Sequence, residues 1–159
     1  MKYRILFLLA WFTIQANAQN LVQGKWKFTT GDHPQYAQTD FDDSGWKEIE
    51  AGIPWENQGF DGYDGFGWYR IKTVIPSSMK NNAVKYGGLI LDLQKIDDCD
   101  ETYLNGTLIG KQGQMPPAYV SAYSADRKYE IPVEKILWDK ENTIAVRVYD
   151  QTGGGGIYN

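Results

Sequence analysis

Thr102-Tyr103-Leu104-Asn105-Gly106-Thr107-Leu108-Ile109 is the stretch that decides the fold class. Two short runs rich in strand-forming residues flank an Asn-Gly pair. That pair favours positive φ at both central positions, so the stretch predicts a two-residue type I′ hairpin. The same period of two extends outward along the chain. Downstream, Asn142 to Tyr149 places Ile144, Val146 and Val148 on one face and Ala145, Arg147 and Tyr149 on the other. Upstream, Leu89 to Leu93 sets three leucines on one face, and Gly67 to Ile75 alternates over nine residues before Pro76. Trp26-Lys27-Phe28 and Arg127 to Ile131 are shorter runs of the same kind, the latter ending at Pro132. Helix is scarce; Val133 to Trp138 is expected to form a short turn after Pro132, which suits a first helical position. Many short strands separated by Gly, Pro, Asn and Asp predict an all-β, antiparallel sandwich with two sheets about 10 Å apart. No internal repeat or domain boundary interrupts the pattern.

The first residues read differently. Lys2 and Arg4 precede an apolar run from Ile5 to Ile14, and Ala16-Asn17-Ala18 follows as a small-x-small cleavage pattern. This is the layout of a secretory signal peptide, and the run is short of the roughly 20 residues a membrane span needs. Residues 1–18 are therefore expected to be a signal, and residues 19–159 one domain in a secreted or periplasmic protein. Removing the signal takes the net charge from −4 to −6. An acidic chain lacks the basic footprint of a nucleic-acid binder and the polybasic face of a protein held on anionic lipid. Neither nucleic acid nor membrane is an expected partner. Cys99 is the single cysteine, so no internal disulfide forms and the core must hold the fold. The 6 Trp, 11 Tyr and 6 Phe supply it, and large aromatic faces also suit stacking on sugar rings.

Three long loops carry the candidate binding residues. Gly31 to Gly45 holds Asp32, Asp40, Asp42 and Asp43; Ala51 to Gly67 holds Trp55, Phe60, Asp61, Tyr63, Asp64 and Phe66; Lys111 to Asp126 holds Pro116, Pro117, Tyr119 and Tyr123. Aromatic and acidic side chains together fit a carbohydrate, with faces for stacking and carboxylates for hydroxyls. The same aromatics also serve to pin long loops onto the sandwich.

Several segments resemble the sugar-binding domain of glycoside hydrolase family 2. They are Asp40-Phe41-Asp42-Asp43-Ser44-Gly45-Trp46, Ile53-Pro54-Trp55-Glu56, Tyr63-Asp64-Gly65-Phe66-Gly67-Trp68-Tyr69-Arg70, and the hairpin Ile96-Asp97-Asp98 through Gly110. The closing segment Asn142 to Asp150 followed by Gly155-Gly156-Ile157-Tyr158 resembles it as well. Arg127-Lys128-Tyr129 is similar to a motif of the jelly-roll insert in sialate O-acetylesterases. The set covers nearly the whole chain after residue 18, in family order. The resemblance implies a galactose-binding-like jelly roll beside a catalytic domain, in the same or a neighbouring polypeptide, with carbohydrate as ligand. It implies sugar contacts from the loop around Trp55, with Tyr63 and Asp64, and from Asp150 before the glycine run. Trp68, Arg70, Asp98, Asp100, Arg127 and Arg147 are expected to be structural or binding. Family members continue past the last motif, so the domain is expected to lack its last strand.

The remaining chemistry is thin. A Ser-His-acid triad needs a histidine, and His33 is the single one; Ser44 lies in no G-x-S-x-G elbow. Strand periodicity puts Asp98 and Asp100 about 7 Å apart, within the range of a glycosidase carboxyl pair. Their place in the family hairpin gives them the simpler role of bonding loop N–H groups or Arg127 and Arg147. Asp98-Cys99-Asp100 opens like a calcium loop, but Tyr103 stands where an EF-hand needs glycine. No catalytic residue, metal ligand or cofactor is expected; the acid-rich loops permit a structural calcium, and no spacing demands one. Gly153 to Gly156 lacks the Lys-Ser/Thr of a phosphate loop and is expected to allow a tight backbone crossing at the rim. Three functions remain open: an ancillary carbohydrate-binding or scaffolding module, a piece of a β-galactosidase-like hydrolase or esterase with its chemistry elsewhere, and a protein-interaction or adhesion domain.

Overall fold

A computed structural model describes residues 24–158. The expected signal segment 1–18, and residues 19–23 of the expected domain, lie outside the described residues. Ten strands and one short α-helix follow in order: β1 (Gly24–Thr30), β2 (Lys47–Ala51), β3 (Gly65–Val74), α1 (Lys80–Tyr86), β4 (Gly88–Asp92) and β5 (Lys95–Asp97). Then come β6 (Cys99–Leu104), β7 (Thr107–Gln112), β8 (Lys128–Pro132), β9 (Glu141–Asp150) and β10 (Gly156–Tyr158). One layer is a six-stranded sheet in the order β2-β1-β3-β9-β6-β7; facing it are two strand pairs, β4 with β8 and β5 with β10. All these pairings are antiparallel. The expected antiparallel sandwich is the observed architecture.

Alternation explains the packing. β3 and β9 pair over ten residues, from Gly65 opposite Asp150 to Val74 opposite Glu141. Their inward side chains, among them Tyr69, Ile144, Val146 and Val148, meet Leu91, Leu93, Ile96, Ile131 and Ile157 from the opposite layer. Each large side chain buried there contributes about 1.5–3 kcal/mol. The outward positions are also covered: Trp68 and Ala145 pack with Ala37, Tyr36, Trp46 and Tyr103. Arg70 holds that cover in place. Its guanidinium is fully buried, donates to Asp43 Oδ2 at 2.7 Å, and donates to the Tyr36 and Gln38 carbonyls. The long acidic loop therefore closes over the sheet because one buried cation collects its acceptors.

The hairpin forms as its turn residues dictate, with Asn105 at φ 49° and Gly106 at φ 77°. Two local differences stand out. The turn expected over Val133 to Trp138 is only a 3-10 turn at Val133–Lys135, because Ile136 goes extended and buries. Helix α1 was not anticipated; it buries only Ala83 and stops at Gly87, whose φ of 85° ends the helix. No helix among the described residues is long and apolar enough to cross a membrane.

Candidate functional site

The glycine run makes one end of the sandwich. β9 delivers Asp150 to the rim, and Gln151 to Gly155 carry the chain across to β10. Asp150 is buried; its Oδ1 accepts the Thr152 N–H at 3.1 Å, while its Oδ2 has no partner among the described residues. The Gly155 N–H donates to both oxygens of Glu56 at 3.0 Å, and the Gly155 carbonyl accepts the Trp55 N–H at 3.1 Å. A Cβ on Gly155 would sit 2.2 Å from the Trp55 ring and 2.8 Å from Asp150 Oδ2. The backbone passes here because it carries no side chain, which is the crossing the sequence suggests.

Two further carboxyls join Asp150. Asp97 ends β5, and Asp98 lies in the step into β6. One oxygen from each of Asp97, Asp98 and Asp150 lies within 4.8 Å of the others. Asp98 accepts from the Ser121 hydroxyl and from the Gln151 N–H at 3.0 Å. None of the three takes part in an ion pair among the described residues. The nearby Arg127 is engaged with Asp100 at 3.0 Å, both side chains fully buried, and with the carbonyls of Asp98, Ala122 and Ala125.

Crowded, half-desolvated acids do not all ionise together. Burial first, then its contact with Asp98 and the charge of Asp150, push the Asp97 carboxyl up to about 7. Burial likewise raises Asp150 to about 6; the Thr152 N–H opposes this, and the charges of Asp98, Asp64 and Glu56 add to it. Burial also works to raise Asp98, but donors from Ser121, Tyr119 and Gln151 prevail and hold it below its ordinary value.

The expected sugar contacts share this neighbourhood without equal exposure. Trp55 is completely buried, so its ring is the floor beneath the glycines and offers no face to a ligand. Its indole N–H donates to the Tyr63 carbonyl at 3.0 Å. Tyr63 is half-buried and donates its hydroxyl to the Phe66 carbonyl at 2.8 Å. Asp64 is exposed. The other expected residues are elsewhere. Trp68 and Arg70 lie under the outer loop, and Arg147 on the same face is clamped by Asp32 and Glu101. Asp100 and Arg127 form the interior pair, so Asp100 takes its expected arginine while Arg147 takes other acids. Glu56 and Asp97 were not among the candidates. Each is chain neighbour to one that was, and only the folded rim assigns them a place.

No family model matches the chain. Over 162 aligned positions, 91% of this chain, it is 26% identical to a Formosa agariphila protein provisionally named a beta-glucuronidase, of which it covers 14%. A solved Bacteroides uniformis beta-glucuronidase superposes on 89% of this chain with a TM-score of 0.70 and 26% identity, and this chain covers 17% of it. A glycosyl hydrolase family 2 member from Bacteroides cellulosilyticus gives a TM-score of 0.63 over 86% of this chain; at 22% identity it speaks to the fold alone. The fold is an antiparallel β-sandwich. In sequence and in fold the chain resembles the sugar-binding domain of glycoside hydrolase family 2, and it spans about a sixth of the length of these relatives. The similarity to the esterase insert rests on Arg127-Lys128-Tyr129 alone.

Proposed function

We propose that this chain is a non-catalytic carbohydrate-binding and scaffolding module of a secreted glycan-degrading enzyme of the family 2 type, working beside a catalytic domain in the same or a neighbouring polypeptide. The observation that carries the binding half is the exposed carboxylate of Asp64, which with half-buried Glu56 stands at the rim beside the exposed run Gln151 to Gly154, above the buried Asp150. Sugar hydroxyls donate readily to carboxylates, and Asp64 holds its carboxylate at the surface, where a ligand can reach it. So many acids in one place repel an anionic sugar, which favours neutral glycosides over uronides. The scaffolding half is supported by Val84 and Tyr86 on α1 and Ile90 on β4, three exposed apolar side chains on two elements that touch, which suit a neighbouring domain.

The test is calorimetric titration of the chain with a panel of neutral and uronic oligosaccharides, beside hydrolysis assays with chromogenic glycosides. Binding of a neutral glycan that weakens about tenfold in Asp64→Asn, with no turnover, supports the reading. Turnover by the purified chain, or no binding across the panel, ends it.

A further inference from the structure

We propose that the Asp97, Asp98 and Asp150 carboxyls form a calcium-binding site at the junction of β5, β6 and the end of β9. The inference uses Asp150 in common with the sugar-binding reading but does not rest on it. Three observations converge. First, one oxygen from each carboxyl lies within 4.8 Å of the other two. Two oxygens on opposite sides of a calcium ion stand about 5 Å apart, from bonds of roughly 2.3–2.6 Å, so the three fit one coordination sphere. Second, Asp150 Oδ2 is buried and has no hydrogen-bond donor among the described residues, although its sister oxygen has one. An acceptor left bare in the interior is an unmet cost, and a cation meets it directly. Third, no lysine or arginine pairs with any of the three among the described residues. Arg127 is spent on Asp100 and on backbone carbonyls. Buried negative charge is normally paired or bound to metal, and here the protein supplies no pair.

The ligand set also selects the ion. All three donors are hard carboxylate oxygens, which suit calcium or magnesium rather than zinc or copper. Asp97 is half-buried, leaving a side of the site for water. The backbone N–H groups of Gln151 and Thr152 bond to Asp98 and Asp150, and so hold both carboxyls in place. Calcium accepts such irregular, partly hydrated geometry, whereas magnesium demands a near-ideal octahedron with shorter bonds.

The experiment is a thermal-denaturation titration of chelator-stripped chain at pH 8 without sugar. Calcium chloride is compared with magnesium chloride and with sodium chloride of matched ionic strength. Calcium should raise the melting temperature saturably, magnesium much less, and sodium not at all. Asp97→Asn, a near-isosteric change at a half-buried position, should fold and should weaken calcium at least tenfold. Calorimetry with calcium alone gives the same comparison should the melting curves be irreversible. A melting temperature that ignores calcium, a shift reproduced by sodium chloride, or an undiminished shift in Asp97→Asn would overturn the site. Sugar binding, measured separately, decides the other reading on its own.

Discussion

Arg127 and Asp100 form an ion pair with neither side chain exposed, Nε to Oδ1 at 3.0 Å, between β6 and the residue before β8. Tyr129 adds its hydroxyl to the same carboxylate at 2.9 Å, and Thr102 adds another at 2.9 Å. The two layers of the sandwich are thus tied by a polar cluster inside an apolar core. Removing one partner strands the other. Arg127→Ala should cost about 3–5 kcal/mol, read as a lower midpoint in urea denaturation. A loss under 1 kcal/mol, the range of exposed pairs, would show that the cluster does not tie the layers.

The outer loop depends on Arg70 in a different way. Lysine keeps the charge but has neither the fork nor the reach to serve Asp43 and two carbonyls together. Arg70→Lys should cost roughly 2–3 kcal/mol. It should also raise protease sensitivity within residues 36–43 while the hairpin at Asn105-Gly106 stays protected. Limited proteolysis with mass mapping checks both halves.

Gly155→Ala tests the crossing. The new methyl would enter the Trp55 ring plane region at 2.2 Å, so the run from Gln151 to Gly155 must lift. Overpacking of this kind costs about 1–3 kcal/mol. Because the Glu56 bonds to the Gly155 N–H are lost with it, glycan binding should fall by more than stability does. Gly153→Ala, where a methyl meets nothing within 4 Å but φ is 101°, is the comparison for backbone strain alone.

The acid cluster makes stability depend on pH in a definite sense. Asp97 and Asp150 titrate near 7 and near 6 in the folded chain, against 3.8 ordinarily. Between those values the folded state keeps protons that the unfolded state has released. Their contribution is therefore fully present below about pH 4 and is lost as pH rises through 6 to 7. Asp98, held low, works the other way and loses its contribution as pH falls below its ordinary value. In chelator, Asp97→Asn should flatten the decline between pH 4.5 and 8 by about 1–2 kcal/mol after allowance for solvent screening. Urea midpoints at the two pH values measure it, and an unchanged slope would show that Asp97 is not the group responsible.

Much of this architecture was legible from local chemistry. Asn105-Gly106 specifies its own turn, and the alternation in Gly67 to Ile75 and Asn142 to Tyr149 assigns each side chain to a face before any partner strand is known. Helix α1 escaped because Ala83 is its one buried residue, so no apolar stripe announces it. Strands β5 and β10, three residues each, are too short to show a period and exist because each has the other. Trp55 read as a sugar platform since its loop is long and aromatic; only the folded chain shows Gly155 lying across it.

The sequence by itself determined the class of fold, since strand period, turn residues and the apolar count are properties of neighbouring residues along the chain. The tertiary structure alone decided the rim. Glu56 meets Gly155 across 99 positions, Gln151 meets Asp98 across 53, and Arg147 meets Asp32 across 115. Contacts at such separations depend on strand order and register, which no local pattern encodes. The charges they leave paired or unpaired follow from that geometry.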